Sequence, residues 1–297
     1  MARGVALRGG ALLSGARENA ALAWSAYFTA AVWASLGVPG AARFDTLRGR
    51  VLHQAARWGG SMLGLRGDHS VTSLLLAARH LGLGALLDEI APEQVIELAA
   101  GLSPRGAEWA RARPVVYIEV DQAAVIDAKR RLLEPAQPRG ELVLVAADLR
   151  EADLGEALGA ALRDRRTAVV SEGLTGYLDE PALRGLLRQV RRVASRLSSC
   201  VVLMDFYLRD GAAATPARDA GVPGEAWLRK RALRSMLCRG LDDLEHLRTL
   251  VSSEGFELRA AHTARDLAVR AGIAPPPLEL FVIAELAPAR SGGDAVR

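Results

Sequence analysis

The sequence predicts an α/β fold built on a mostly parallel sheet, and three observations lead there. From Gln94 onward, short apolar runs alternate regularly with amphipathic stretches. The runs are nearly continuous in Val, Ile and Leu, as in strands buried on both faces. The stretches between them carry apolar residues at helical spacing, so helices connect the strands.

The first third is Ala-rich and reads as helical. No charged side chain falls between Asn19 and Ala42, and Ala20 to Leu36 is mostly apolar. That length makes a membrane-span candidate. The run is Ala-rich, however, carries Ser25, Tyr27, Thr29 and Ser35, and ends at Gly37, Pro39 and Gly40. Trp24, Tyr27 and Phe28 share the spacing of one packed helix face. A buried or lid-forming helix is the favoured reading. A signal peptide fits poorly, because Arg17 and Glu18 stand directly before the run and no small-residue cleavage pattern follows it.

The pattern changes at Pro92. Predicted strands are Gln94–Ala100, Val115–Asp121, Leu142–Asp148, Thr167–Gly173, Cys200–Leu208, Phe256–His262 and Leu278–Glu285. Predicted helices are Pro104–Ala112, Ala123–Leu133, Leu154–Arg163 and Glu180–Arg196. Leu183, Leu186, Leu187, Val190 and Val193 form the apolar stripe of the last helix. Pro104 and Pro181 sit where a first turn tolerates proline. The short link between the last two strands predicts an antiparallel edge. Residues 209–239 read as a helical insertion after strand five. The expected division is an N-terminal helical region (1–92) that forms a lid and acceptor pocket, a sheet domain (93–287) and a flexible tail (288–297).

Composition excludes several classes. Half of the 297 residues are hydrophobic and 24% are charged, which rules out general disorder. Two cysteines, Cys200 and Cys238, cannot make a disulfide framework and suit a reducing cytoplasm. All but two of the 38 basic residues are arginine, and the pI is near 9.5. A basic chain can be a nucleic-acid binder. Here the net charge is only +4, aromatic residues are 5%, and the densest run (Arg188, Arg191, Arg192, Arg196) reads as a solvated helix face. No nucleic-acid partner is expected.

The informative charges are acidic. Open α/β sheets bind ligands beyond the carboxyl ends of their strands. Four successive predicted strands end near Glu97, in Glu119 and Asp121, in Asp148, and in Glu172. Carboxylates crowded this way need partners, and a ligand with hydroxyls, an amino group and a positive centre would supply them. Ala99, Ala100 and Gly101 leave room for close backbone approach after strand one. Asp121 stands where nucleotide-binding α/β folds hold ribose hydroxyls. The G-x-G-x-x-G pattern of dinucleotide sites is missing, since only Gly101 and Gly106 occur.

Residues 95–106 (VIELAAGLSPRG), 117–133 (YIEVDQAAVIDAKRRLL), 145–149 (VAADL) and 170–180 (VSEGLTGYLDE) together resemble the leucine carboxyl methyltransferase superfamily. The likeness is to its bacterial branch near the tetracenomycin polyketide-type O-methyltransferases. Residues 24–37 (WSAYFTAAVWASLG) and the pair Arg79-His80 are also similar, and the likeness spans roughly residues 20 to 285. The resemblance implies the seven-stranded sheet of class I S-adenosyl-L-methionine-dependent methyltransferases. It implies S-adenosyl-L-methionine as cofactor and O-methyl transfer to a carboxyl or hydroxyl of a small, largely apolar, polyketide-like metabolite. By matching positions, Gly101 would lie against the methionyl part of the cofactor, with Glu97 opening that motif. Asp121 would hold the ribose, Asp148 and Leu149 would flank the adenine, Glu172 would be a further contacting acid, and Arg79 would meet the cofactor carboxylate. Ala99 and Ser103 depart from glycines common in other methyltransferases.

A carboxylate acceptor is already ionised near neutrality and needs no base, whereas a phenol would gain from one, for which His80 is a candidate. Tyr177 and Tyr207 are expected at the cleft mouth as acceptor-positioning groups. Trp24, Tyr27, Phe28, Trp33 and Trp227 are expected to line an apolar pocket. None of the five histidines shows metal-ligand spacing, so no metal is expected. A cofactor-binding accessory protein of the same fold, without turnover, is the alternative.

Overall fold

The computed structural model describes residues 25–62, 71–133, 138–210 and 240–289. The strands are β1 (Gln94–Leu98), β2 (Val116–Asp121), β3 (Glu141–Ala146), β4 (Arg166–Ser171), β5 (Ser199–Tyr207), β6 (Phe256–Thr263) and β7 (Phe281–Pro288). They form one seven-stranded sheet in the order β3-β2-β1-β4-β5-β7-β6. The first five run parallel, and β7 is antiparallel to both its neighbours. The antiparallel strand therefore lies second from the edge, with β6 outside it. The link from β6, residues 264–280, holds the short helix Ala264–Arg270, and β7 still returns antiparallel beside β6.

The helices are α1 (residues 25–35), α2 (Leu47–Met62), α3 (Val71–Ile90), α4 (Arg105–Ala112), α5 (Ala123–Leu132), α6 (Leu154–Leu158), α7 (Glu180–Ala194), α8 (Leu244–Ser253) and α9 (Ala264–Arg270). Side-chain caps start several of them. Asp153, Asp179 and Asp243 each accept a backbone N–H of the first turn of α6, α7 and α8, and Thr263 with Asp266 forms a capping box on α9. The expected helix 154–163 is shorter, because Gly159 turns out of helical geometry at φ 47°. Residues 159–161 continue as a single 3-10 turn.

The pleat sends alternate side chains to opposite faces. Ile96, Leu98, Ile118, Val169 and Val202 face the layer of α6, α7 and α8. Val95, Tyr117, Val170 and Leu203 face Leu83, Leu86 and Leu87 of α3, Trp109 of α4 and Leu267 of α9. Helix α3 thus packs directly on the sheet, and Gly82 lets it approach α9, where a Cβ would collide with Leu267. The arginine-rich face of α7 is less solvated than its composition suggests. Arg184 and Arg188 pair with the buried Glu254, and Arg191 donates to the carbonyls of Gly255 and Ala289. Among the described residues, no helix is long and apolar enough to cross a membrane. Trp24, Trp227, Cys238 and nearly all of the expected insertion and tail lie outside the described residues.

Candidate active site

The strand-end acids share one face. Glu97, Glu119, Glu172 and Asp205 each follow by two residues a member of the α3-side core (Val95, Tyr117, Val170, Leu203), so period two directs all four towards α3 and α4. Glu97 and Glu119 are register partners on adjacent strands. Such crowding is costly unless cations enter the same layer, and here they do.

Arg105, the first residue of α4, is 4% exposed. It donates to Glu97 Oε1 at 2.7 Å, to Glu172 Oε2 at 2.6 Å and to the His80 carbonyl at 3.0 Å. Ser103 Oγ accepts the Arg105 backbone N–H at 3.2 Å, which gives a role to one departure from the family's glycines. Tyr117 donates its hydroxyl to the other Glu97 oxygen at 2.6 Å. Arg79 on α3 donates to Asp205 Oδ2 (3.1 Å) and Tyr207 Oη (2.9 Å) and lies 3.4 Å from Glu172 Oε1. Asp205 Oδ1 accepts the Gly173 N–H at 3.0 Å. Burial works against ionisation of Glu172, but the His80 ring and the Arg105 and Arg79 guanidiniums hold its carboxyl well below the usual range. Burial raises Asp205, and Arg79 partly offsets it.

Two of the arginines, Arg79 and Arg105, are inside the site and neutralise its acids. Sequence reading passed over Arg105, although it stands in the quoted segment 95–106, because its carboxylate partner Glu172 lies 67 residues away. The only signal was the need of crowded acids for cations. His80 is also in this cluster. Its Nδ1 lies 3.0 Å from Glu172 and 2.8 Å from Arg105, its ring stacks on Trp33 at 4.3 Å, and burial with Arg105 lowers its pKa.

Glu119 takes the other lysine-like solution. It forms an ion pair with Lys129 of α5, and both side chains are fully buried. The pair is held by charge, since neither makes a directed hydrogen bond among the described residues. Burial raises the Glu119 pKa, and Lys129 partly offsets this. A Cβ on Gly106 would fall on Glu119 Oε1, so α4 can approach β2 only through glycine.

The ends of β2 and β3 differ. Asp121 accepts the Gly101 N–H on Oδ2 and the Gln122 N–H on Oδ1, each at 2.7 Å. An ionised carboxylate has about four acceptor sites, so two remain. Gly101 has φ 55°, a region that favours glycine, and Ala99 has φ 52° without that freedom. Ala26 of α1 lies 3.4 Å from where a Gly101 Cβ would stand, so α1 covers this turn. Asp148 is half-exposed, and Arg150 binds it through its backbone N–H (3.0 Å), Nε (3.1 Å) and Nη2 (2.8 Å). Those Arg150 bonds hold its pKa below the usual value. Leu149 is half-buried against the α7-side core, and its carbonyl accepts from Gln189.

Tyr207 and Tyr177 come together at the end of β5. The Tyr207 ring lies close to Gly176, beside Tyr177 in a 3-10 turn, and Tyr177 is 43% exposed. Burial raises the Tyr207 pKa, partly offset by Arg79. Of the expected pocket aromatics, Phe28 packs edge-on against His53, and Arg48 covers Tyr27. Among the described residues, no group of three His, Cys, Asp or Glu is arranged to hold a metal ion.

With this geometry in hand, known proteins can be compared. The family model for leucine carboxyl methyltransferase matches residues 65–191. The matched segment is just under half of the chain. It carries α3, β1, β2, β3 and β4, and with them every cation and acid of the cluster except Asp205. A protein of Mycolicibacterium smegmatis with the assigned name S-adenosyl-L-methionine-dependent methyltransferase is 36% identical over 156 residues, covering 49% of this chain and 50% of that one. A protein of Mycolicibacterium paratuberculosis with the same assigned name is 39% identical over 113 residues, 36% of each chain. The matches thus span about a third to a half of the length of these relatives. A crystal structure of an assigned methyltransferase from Thermobifida fusca shares the fold, with TM-score 0.55, 16% identity, and coverage of 89% of this chain and 94% of that one.

Proposed function

We propose that the protein is an S-adenosyl-L-methionine-dependent O-methyltransferase acting in the cytoplasm on a carboxyl or hydroxyl of a small, largely apolar metabolite. The observation that carries this reading is Asp121. It ends β2, is fixed by the N–H groups of Gly101 and Gln122, and keeps two acceptor sites for a pair of ribose hydroxyls. The residues fit the cofactor. Gly101 presents backbone without a side chain, and Asp148 and Leu149 supply a polar and an apolar neighbour at the next strand end. Arg79 has one terminal nitrogen, Nη2, against Gly173, where only glycine leaves room for it.

When bound, the cofactor supplies a methyl group already activated on a sulfonium. The protein's part is position and exclusion of water. Helix α1 covers the Gly101 turn and so closes one wall. Tyr207 accepts from Arg79 and keeps its own proton, because burial raises its pKa; it can donate that proton to an acceptor oxygen. Tyr177, half-exposed beside it, is the second positioning group. A carboxylate acceptor then needs only orientation.

Calorimetric titration with S-adenosyl-L-methionine should show saturable binding that Asp121→Ala abolishes. A mass-spectrometric screen of aromatic acids and phenols should then yield a product heavier by one methylene. No heat with the intact protein would sink the proposal.

A further inference from the structure

Glu97 ends β1 and Glu172 follows β4, on strands that pair directly. Both carboxylates are buried, at 1% exposure for Glu97 and 5% for the Glu172 side chain. Among the described residues Arg105 alone bonds both. Its two terminal nitrogens divide the work, Nη1 to Glu97 and Nη2 to Glu172 and the His80 carbonyl. The guanidinium is planar and forked, so these bonds fix the separation and orientation of the two acids as well as their charge. Its backbone is equally fixed, since Ser103 Oγ caps its N–H at the start of α4.

We propose that Arg105 is the positioning residue of the site: its fork holds Glu97 and Glu172 in one arrangement, and through Glu172 it sets where Arg79 lies. Glu172 is shared between the two arginines, with Oε2 on Arg105 and Oε1 facing Arg79. Without Arg105, two buried carboxylates on neighbouring strands would have too few cations. One would take a proton, as closely placed acids do. A protonated Glu172 attracts Arg79 less, and Arg79 would then shift towards Asp205 and Tyr207. The Glu97 side of the turn that carries Gly101 would lose its anchor in the same event.

This deepens the methyltransferase reading and rests on it only for the binding arm of the test. Protein labelled with carboxyl-13C glutamate is titrated without cofactor, as wild type, Arg105→Lys and Arg105→Met. In wild type, Glu172 should take up no proton between about pH 5 and pH 8. In Arg105→Met a second buried glutamate, besides Glu119, should titrate inside that window. Arg105→Lys, which keeps the charge but cannot reach both acids, should show a smaller upward shift and bind S-adenosyl-L-methionine about tenfold more weakly. If Arg105→Met does not fold, Arg105→Lys carries both readouts. Wild-type titration and wild-type affinity in Arg105→Lys would overturn the proposal. If wild type itself binds no cofactor, the methyltransferase reading fails, while the glutamate titration still decides the role of Arg105.

Discussion

The two halves of the sheet's carboxyl edge treat their acids differently. On the β1, β4 and β5 side, Glu97, Glu172 and Asp205 are buried, and their oxygens go to Arg105, Arg79, Tyr117, His80 and the Gly173 N–H. On the β2 and β3 side, Asp121 accepts, among the described residues, from two backbone N–H groups, and Asp148 is half-exposed on Arg150. The first half is a closed network in which charge is internally matched. The second half keeps acceptor capacity for something from outside. These five acids at neighbouring strand ends therefore divide into acids that build the site and acids that are available to a ligand.

Disturbing the buried ion pair beneath that edge should cost most. Gly106 is the contact point of α4 on the buried Glu119–Lys129 pair, so Gly106→Ala must push the helix or the carboxylate aside. We expect a loss of about 1–3 kcal/mol, read from the urea midpoint at constant m-value. An unchanged midpoint would mean that α4 is not seated as described.

The same pair gives a pH signature. Glu119 is raised from its ordinary value of 4.5 to about 7 in the folded protein, by burial first, with Lys129 opposing. Between those two values the folded state binds the extra proton. Its contribution to stability is therefore present below about pH 4.5 and is lost as pH rises towards 7. Glu172, held low, acts in the opposite sense: its stabilisation is present above the ordinary carboxylate range and is lost as pH falls below it. The double variant Glu119→Gln/Lys129→Met removes the first slope without leaving a buried unpaired charge. Denaturation midpoints across this window should flatten in that variant, and a slope equal to wild type would contradict the assignment.

A smaller effect is expected at the turn after β1. Ala99 sits at φ 52°, where a Cβ costs roughly 1–2 kcal/mol, while glycine there gives back part of that in the unfolded chain. Ala99→Gly should leave the protein equally stable or raise the thermal midpoint slightly. A clear drop would show that the Ala99 methyl packs usefully against the α7-side core.

Much of the fold was legible because its signals are local. The strands β1 to β5 announce themselves as Val/Ile/Leu runs, and their bounds fall within two residues of expectation. The start of β7 was set three residues early, since Leu278 and Leu280 extend the apolar run although pairing begins only at Phe281. The acids of the site were legible as strand-end residues. Their partners were not, because a side chain's partner across the fold leaves no pattern in the chain. Arg105 reads as one arginine among many, and Arg191 as part of a solvated stripe, although it is tied to Gly255 and Ala289. Lys129, one of two lysines in the chain, carries no mark in the sequence of its full burial on Glu119.

The central claim is that the open half receives the cofactor and the closed half frames it. Calorimetric titration with S-adenosyl-L-methionine of wild type, Asp121→Asn and Asp205→Asn tests it most directly. The account predicts that Asp121→Asn, which keeps the shape but turns one of the two accepting oxygens into a donor and so lowers the denaturation midpoint somewhat, loses most of the affinity while still folded. Asp205→Asn should lose stability first and retain binding wherever it remains folded. Full affinity in Asp121→Asn would contradict it.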